Sequence, residues 1–518
     1  MSNLDEAARR RTFAIISHPD AGKTTLTEKF LLFAGAIREA GAVQNRKVAR
    51  NTASDWLELE QKRGISVSST VLRFTHGDHV FNLLDTPGHR DFSEDTYRVL
   101  SGVDAAIMVL DAARGVEPQT EKLYAVCRRR GTPVLTFVNK MDRPAPEPLE
   151  ILDDIERALS IDTHPVTWPA VINGTFTGVV DRRSAMFHAF EPAAHGSTIG
   201  GESAQPFASA HDPDGAVADE LSLLDELGKD VDVDRFLNGT ATPVFFGSAL
   251  ANFGVRLLLD AVAELAPAPS ARETILGDER ALDAPFAGFV FKIQANLDPR
   301  HRDRLAFVRV CSGRFERGTA LVCARSQRRI VAKYAHQVFG RDRQTVDVAY
   351  PGDVIGLVNA TDLRIGDTLS EAGDVAFPPP PTFTPEHFAT VSPVDRSKAK
   401  QFRRGLEQLD EEGVVQVLRH PEFGDQEPML AAVGQLQFEV AAWRMEQEFG
   451  APVRLTPAGF AEARGTDDSS ASELGRMHDV AIYLRADGSP LALFRNRWVR
   501  ERIERDHPEL TLDNVLVN

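Results

Sequence analysis

The sequence has little cysteine and no long apolar run. Its 518 residues include three cysteines, Cys127, Cys311 and Cys323, without the spacing of a metal site. This pattern is typical of reduced thiols and excludes a disulfide framework. No segment approaches the roughly 18–20 consecutive apolar residues of a membrane-spanning helix. The first residues also lack the apolar core of a secretory signal, so we expect a cytoplasmic protein without a membrane partner.

Length and charge indicate a globular protein of several domains. A chain of 518 residues exceeds what one hydrophobic core supports. The net charge of −16 argues against a uniform nucleic-acid coat and against DNA as a partner. The charge is uneven, because residues 281–350 hold 13 basic and 6 acidic side chains, whereas residues 181–240 hold 4 basic and 12 acidic ones. A basic module in an acidic protein suits local contact with a partner that contains RNA.

The first chemical signature lies between an apolar strand at residues 11–16 and a helix that begins near Thr24. This order is typical of a phosphate-binding loop, whose backbone N–H groups and helix N-terminus face phosphate oxygens. We expect Lys23 to reach the β- and γ-phosphates and the Thr24 hydroxyl to bind Mg²⁺. Ser17 stands where the general pattern has glycine. The predicted phosphate-side residues are Ser17, His18, Pro19, Asp20, Ala21, Gly22, Lys23, Thr24 and Thr25.

A second buried strand ends at Asp85 and is followed by Thr86, Pro87, Gly88 and His89. Asp85 is predicted to hold Mg²⁺ through water, and the Gly88 N–H to meet the γ-phosphate in a loop that moves when that phosphate leaves. Taken alone, Asp-Thr-Pro-Gly is more typical of a turn. His89 is the predicted catalytic residue, because its position suits orientation of the attacking water.

A third strand, at residues 134–138, is followed by Asn139, Lys140, Met141 and Asp142. The Asp142 carboxylate can accept hydrogen bonds from N1 and N2 of guanine, a pair of donors that adenine lacks. Asn139 and Lys140 are predicted to brace the loop and the ring. A fifth strand-like run precedes three residues whose backbone would complete the base pocket: Gly247, Ser248 and Ala249.

Residues 63–67 form a polar, glycine-containing stretch that fits a mobile switch loop. Its Ser66 hydroxyl is a candidate to close over Mg²⁺ and the γ-phosphate, although a surface serine before a strand explains it equally well. Thr24, Ser66 and Asp85 thus form the predicted metal set. Together the motifs predict a GTPase that binds GTP, GDP and Mg²⁺.

The element pattern predicts three domains. Residues 1–280 fit an α/β P-loop GTPase domain with a doubly wound, mostly parallel sheet and an insertion around residues 143–242. Residues 281–382 fit an antiparallel β-barrel in which 304–310 and 318–322 form a hairpin. Residues 383–518 fit an α+β domain with the split βαβ pattern. In the barrel an arginine cluster could meet RNA phosphates, although a solvated face is commoner: Arg300, Arg302, Arg304, Arg325, Arg328 and Arg329.

These motifs resemble those of translational GTPases and, more narrowly, of the bacterial release factor three family. The most specific segments are residues 11–24, 91–98, 243–247 and 288–296. The resemblance implies that serine is normal at position 17 and that Ser66 is the switch hydroxyl. It also implies a ribosome-dependent GTPase of translation termination that promotes dissociation of class-I release factors from the ribosome after peptide release. The implied partners are therefore the ribosome, with its rRNA and ribosomal proteins, and class-I peptide chain release factors.

Three alternatives stay open at this point. A P-loop ATPase or kinase shares the phosphate loop, but Asp142 argues against it. Another ribosomal GTPase (elongation factor G-like, ribosome-protection or ribosome-assembly factor) is the closer rival. An elongation factor G-like protein needs further C-terminal domains, for which the roughly 70 residues after the split βαβ unit leave little room. A decayed, non-catalytic scaffold is disfavoured because every pocket position is filled.

Overall fold

A seven-stranded sheet with helices on both faces forms the amino-terminal part of the chain. The computed structural model describes residues 2–37, 69–87, 90–172, 175–190, 202–208, 211–295, 304–339, 342–358, 362–380 and 383–513. The first strands are β1 Arg10–Ser17, β2 Thr70–His76, β3 His79–Asp85, β4 Ala105–Asp111, β5 Val134–Asn139, β6 Asp162–Pro165, β7 Thr167–Ile172, β8 Thr175–Asp181, β9 Met186–Phe190, β10 Glu202–Pro206 and β11 Ala241–Phe246. The helices are Asn3–Ala8, Lys23–Phe33, Ser93–Leu100, Pro118–Arg129, Pro148–Leu159, Ala216–Glu226, Val233–Leu237 and Val255–Leu265, with a 3₁₀ turn at Arg90–Phe92.

The strand order of this sheet is β2-β3-β1-β4-β5-β11-β6, and only the β2–β3 pair is antiparallel. Its central strands are continuous apolar runs because helices cover both faces. The helices Lys23–Phe33 and Val255–Leu265 pack on one face, and Pro118–Arg129 and Pro148–Leu159 on the other. This arrangement confirms the predicted α/β fold. Between β6 and β11 the chain adds a four-stranded antiparallel sheet in the order β10-β9-β8-β7.

The second domain is an antiparallel barrel-like sheet in the order β18-β17-β23-β14-β15-β22-β19-β20, which confirms the predicted class. Two short pairs, β12 with β13 and β16 with β21, accompany this sheet. The strands of this part of the chain are β12 Arg272–Glu273, β13 Glu279–Arg280, β14 Ala287–Ala295, β15 Arg304–Ser312, β16 Phe315–Glu316, β17 Ala320–Cys323, β18 Arg329–Val331, β19 Ala335–Phe339, β20 Asp342–Thr345, β21 Val348–Ala349, β22 Val354–Val358 and β23 Thr368–Ser370.

The predicted hairpin between residues 304–310 and 318–322 is wrong. β15 pairs with β14 and β22, whereas β17 pairs with β18 and β23. The reason is β16, which lies between them in sequence and pairs instead with the distant β21. In the sheet, β23 and β14 therefore separate β17 from β15.

The arginine cluster of this domain is partly neutralised by carboxylates. Arg325 donates to Asp367, and Arg328 lies 2.9 Å from Asp362. Arg304 lies 2.7 Å from Glu411 of the next domain. Arg300 and Arg302 fall outside the described residues. The described part of the cluster therefore offers less free positive charge than the sequence suggests.

The third domain contains the predicted split βαβ unit. Its strands are β24 His387–Pro393, β25 Gln416–His420, β26 Gly424–Ala432, β27 Val453–Pro457, β28 Glu462–Gly465, β29 Val480–Leu484 and β30 Pro490–Phe494. Its helices are Ala399–Glu411, Gln435–Gln447, Asp468–Leu474 and Arg497–Asp506, with a 3₁₀ turn at Arg396–Lys398. The order is β27-β24-β26-β25-β29-β30-β28. β26 is antiparallel to both β24 and β25, so it lies between the two parallel strands that the first helix connects. β25 and β29 meet through one residue pair, Arg419 with Leu484.

The three cysteines are buried and unpaired, as expected for reduced thiols. Burial raises the pKa of Cys127 to about 12, so this thiol is unreactive at neutral pH. In the described part of the chain, no helix is both long and apolar enough to cross a membrane.

Asp410 gives the third domain a pH-dependent stability. Burial raises the pKa of its carboxyl group from 3.8 to about 6, and the carboxyl oxygen accepts the Val417 N–H at 2.8 Å. Because its pKa is higher in the folded state, protonated Asp410 favours folding. This contribution to the free energy of unfolding is fully present below about pH 4 and is lost as the pH rises through 6. We expect Asp410→Asn to raise the free energy of unfolding by about 2 kcal/mol at pH 7.5 and by little at pH 4. Urea unfolding at both pH values measures the difference, with the exposed Glu446→Gln as control. An equal gain in the free energy of unfolding at both pH values would contradict the raised pKa of Asp410.

Candidate nucleotide-binding site

Five neighbouring strands bring the predicted motifs to one edge of the first sheet. The register pairs Ile15 with Asp85, Asp111 with Asn139, and Val138 with Phe246. The phosphate loop, Asp85–Pro87, Asn139–Asp142 and Gly247–Ala249 therefore all leave the sheet at its carboxyl edge. In open α/β sheets this edge is where ligands bind.

The phosphate loop bends sharply before the helix Lys23–Phe33. Asp20 has a φ of +65° and Gly22 a φ of +105°, a region that strongly favours glycine. A Cβ atom at position 22 would lie 2.2 Å from Asn139 Nδ2. Glycine is therefore required here both by the backbone angle and by the close approach of Asn139.

Asn139 joins three of the four segments. Its Nδ2 donates to the Ala21 carbonyl at 2.8 Å, and its Oδ1 accepts the Ala249 N–H at 2.8 Å. The Met141 N–H donates to the Gly247 carbonyl at 3.1 Å. Asn139 thus links the segment predicted to hold phosphate to the segments predicted to hold the base.

Lys140 makes a second link through its ammonium group. Lys140 Nζ donates to the Asp20 carbonyl at 2.6 Å and lies 2.7 Å from Asp111 Oδ2. Burial raises the pKa of Asp111, but the Lys140 hydrogen bond and the Ala113 N–H outweigh it and keep the pKa below its ordinary value. Asp111 was not predicted. Its signal is its position, because it ends β4 as Asn139 ends the neighbouring β5.

Lys23 and Asp85 are both buried and meet at the centre of the site. Lys23 Nζ lies 2.7 Å from Asp85 Oδ1, and the Thr27 hydroxyl approaches the same oxygen at 3.4 Å. The Thr86 hydroxyl donates to the Ile15 carbonyl at 2.6 Å, which holds the start of the following loop. The Asp142 carboxylate is exposed at the base side of the edge.

Two buried polar atoms of the phosphate loop are left for a ligand. Ser17 Oγ and His18 Nδ1 are buried without a hydrogen-bond partner among the described residues. The other ring nitrogen of His18 lies 3.2 Å from Glu117 Oε1, a contact that the sequence did not predict. Asp85, one of the predicted oxygen ligands, lies 2.7 Å from Lys23 at the end of this loop, so the loop fits a phosphate group with its Mg²⁺.

Ser66, Gly88 and His89 lie outside the described residues, so their predicted roles stay predictions. Two of the described residues nearest to them, Ser69 and Pro87, each hydrogen-bond to the helix Ser93–Leu100. The Pro87 carbonyl lies 3.4 Å from the Thr96 hydroxyl, and Ser69 hydrogen-bonds to Asp95.

Family models match three parts of the chain. Residues 8–268 match "Elongation factor Tu GTP binding domain", residues 285–372 match "Elongation factor G domain 2", and residues 377–504 match "Class II release factor RF3, C-terminal domain". A crystal structure of a protein from Thermus thermophilus superimposes with a TM-score of 0.68. The match covers 87% of this chain and 67% of that one at 24% identity, so this likeness concerns the fold alone.

Full-length relatives give the family. A protein of Synechococcus elongatus named peptide chain release factor 3 is 48% identical, over 99% of this chain and 94% of its own length. Proteins of the same name from Trichodesmium erythraeum and Gloeobacter violaceus are each 46% identical over 98% of this chain, and over 95% and 98% of their own lengths. At this identity and coverage, the chain belongs to the peptide chain release factor 3 family of translational GTPases.

Proposed function

We propose that this protein is a ribosome-stimulated GTPase that uses GTP to release class-I release factors from the ribosome after peptide release. The observation that carries the proposal is the link through Asn139, because it joins the predicted phosphate loop to the predicted base loop in a chain with a release-factor C-terminal domain. The three unpaired thiols favour action in the cytoplasm.

The predicted site residues have the chemistry that GTP requires. Lys23 would neutralise charge on the β- and γ-phosphates, and the loop N–H groups would hold their oxygens. Asp142 would accept the two hydrogen bonds of guanine. Thr24, Ser66 and Asp85 would hold Mg²⁺, which supplies further charge neutralisation when bound. His89 would orient the attacking water.

Contacts between domains favour an output through the third domain. The segment that follows His89 lies against it: Asp91 Oδ2 accepts the Leu436 N–H at 2.8 Å, and Arg98 donates to the Gly413 carbonyl at 3.2 Å. The Tyr97 ring stacks on Phe383 with centroids 4.2 Å apart. A structural change at the γ-phosphate would therefore be transmitted to the contacts between residues 91–98 and the third domain.

GTP hydrolysis by wild type and His89→Ala, with and without ribosomes, tests the proposal. We expect ribosomes to raise the wild-type rate many-fold, and His89→Ala to lower the stimulated rate about a hundredfold with GDP binding retained. His478→Ala, which replaces an exposed histidine, is the matched control and should behave as wild type. A wild-type rate indifferent to ribosomes would refute the ribosome-dependent role.

The release-factor role needs its own assay. A fluorescent class-I release factor bound to ribosomes after peptide release should dissociate faster with this protein and GTP than with GDP. If hydrolysis depends on ribosomes but this dissociation does not accelerate, another ribosomal GTPase function is favoured.

A further inference from the structure

Lys292 lies in residues 288–296, a family-specific segment to which the nucleotide pocket assigns no role. It belongs to β14 of the barrel, yet the residue is buried, with 5% exposure. A buried lysine ammonium needs partners, since an isolated buried charge is strongly unfavourable. Its partners are in the first domain.

A β-bulge directs Lys292 towards that domain. The pairing of β14 with β15 shifts register between Val290 and Lys292. Val290 and Ile293 both lie in the barrel core, although they are three residues apart and a regular strand would place them on opposite faces. Phe291 packs in the cluster shared with the first domain. The extra residue therefore lets Lys292 also face the first domain, and bulges commonly re-aim a side chain in this way.

The Lys292 ammonium meets two residues there. Lys292 Nζ donates to the Ser69 carbonyl at 2.7 Å and to the Ser69 hydroxyl, and it lies 3.4 Å from Asp95 Oδ2. The same Asp95 oxygen accepts the Ser69 N–H at 3.1 Å and the Ser69 hydroxyl at 2.7 Å. Burial raises the pKa of Asp95, but the Lys292 charge and the Ser69 hydrogen bonds outweigh it and hold that pKa below its ordinary value. The three side chains form a closed, charge-balanced cluster.

Ser69 and Asp95 adjoin two different parts of the nucleotide site. Ser69 immediately precedes β2, whose Thr70 pairs with Asp85, and it follows Ser66 by three residues. Asp95 lies in the helix Ser93–Leu100, which follows His89. The cluster thus joins the end of one predicted switch segment to the start of the helix after the other.

We propose that Lys292 is a positioning residue for GTP hydrolysis: from the barrel, it holds together Ser69, which follows Ser66 by three residues, and Asp95, which lies in the helix after His89. The inference rests on the proposed function. It makes the second domain a participant in hydrolysis.

The test compares Lys292→Met with wild type in two assays. In ribosome-stimulated hydrolysis, kcat should fall about 10- to 100-fold, because small misplacements of catalytic groups have effects of this size. Without ribosomes, affinity for a non-hydrolysable GTP analogue should fall about tenfold, whereas affinity for GDP stays within about threefold. A purely structural role would weaken both nucleotides alike or neither. The exposed Lys333→Met, in the same domain, is the matched control.

Lys292→Met leaves the partly buried Asp95 carboxylate without its cation, so the double variant Lys292→Met/Asp95→Asn is measured beside it. The double variant should melt near wild type and still lose kcat and the preference for the GTP analogue. Wild-type kcat and preference in the folded double variant would overturn the proposal, and so would unfolding of both variants. If wild type shows no ribosome stimulation, the proposed function fails, but the nucleotide preference measured without ribosomes still tests Lys292.

Discussion

Asp142→Asn should change the preferred base from guanine to xanthine. In the proposed site the Asp142 carboxylate would accept hydrogen bonds from guanine N1–H and the 2-amino group, whereas an asparagine amide presents one acceptor and one donor. The amide NH₂ would then face the 2-amino group of guanine, so that two donors oppose each other. Xanthine has a carbonyl at position 2, which can accept from the amide NH₂. Sites built around such hydrogen bonds reject a mismatched partner by roughly 10⁴-fold. We expect a GTP affinity loss of that order.

Fluorescent nucleotide titration with GDP and xanthosine diphosphate measures the change. Asp153→Asn, an exposed aspartate in the helix Pro148–Leu159, is the control and should keep guanine preference. Because Asn139 and Lys140 are untouched, phosphate contacts should survive and xanthosine diphosphate should bind. Equal loss of both nucleotides would show that Asp142 supports the loop rather than selecting the base.

Gly22→Ala should abolish most nucleotide binding, with an affinity loss of about a thousandfold. An alanine at a φ of +105° is strained, and its Cβ would lie 2.2 Å from Asn139 Nδ2. Asn139 must then move, which breaks its hydrogen bonds to Ala21 and Ala249. Lost buried hydrogen bonds of about 1–3 kcal/mol each, added to the strain, account for a loss of this size.

Gly35→Ala is the matched control for this variant. Gly35 also has a positive φ, +68°, but no atom lies within 4 Å of a Cβ built there. Its alanine variant should show some loss of thermal stability and near-normal GDP affinity. If Gly22→Ala binds GDP as tightly as Gly35→Ala, then Asn139 is not the brace that the hydrogen bonds indicate.

The motifs were predictable because each is local. A phosphate loop, a strand-ending Asp85 and the Asn139–Asp142 tetrad are recognised within a few residues, and parallel strands bring them to one edge. The split βαβ unit was predictable for the same reason, since its strands and helices alternate in simple order. These features require no knowledge of distant contacts.

Contacts between distant residues were not predictable. Glu117 meets His18 across about a hundred residues of sequence, and the pairing of β16 with β21 overrides the hairpin that local alternation suggested. The ion pair of Arg304 with Glu411 crosses a domain boundary. The bulge at Lys292 breaks the period of two that sequence patterns depend on, so the pattern indicates no partner for that lysine.

The single residue pair between β25 and β29 divides the last sheet into two halves. One side-chain cluster crosses this seam, but the half formed by β28, β29 and β30 also has a core of its own around Leu474, Phe494 and Ile503. Backbone hydrogen bonds within each half are continuous, whereas those across the seam are sparse. In native-state hydrogen exchange, the final three strands should therefore open as a separate cooperative unit, at a lower free energy than the split βαβ unit beside them.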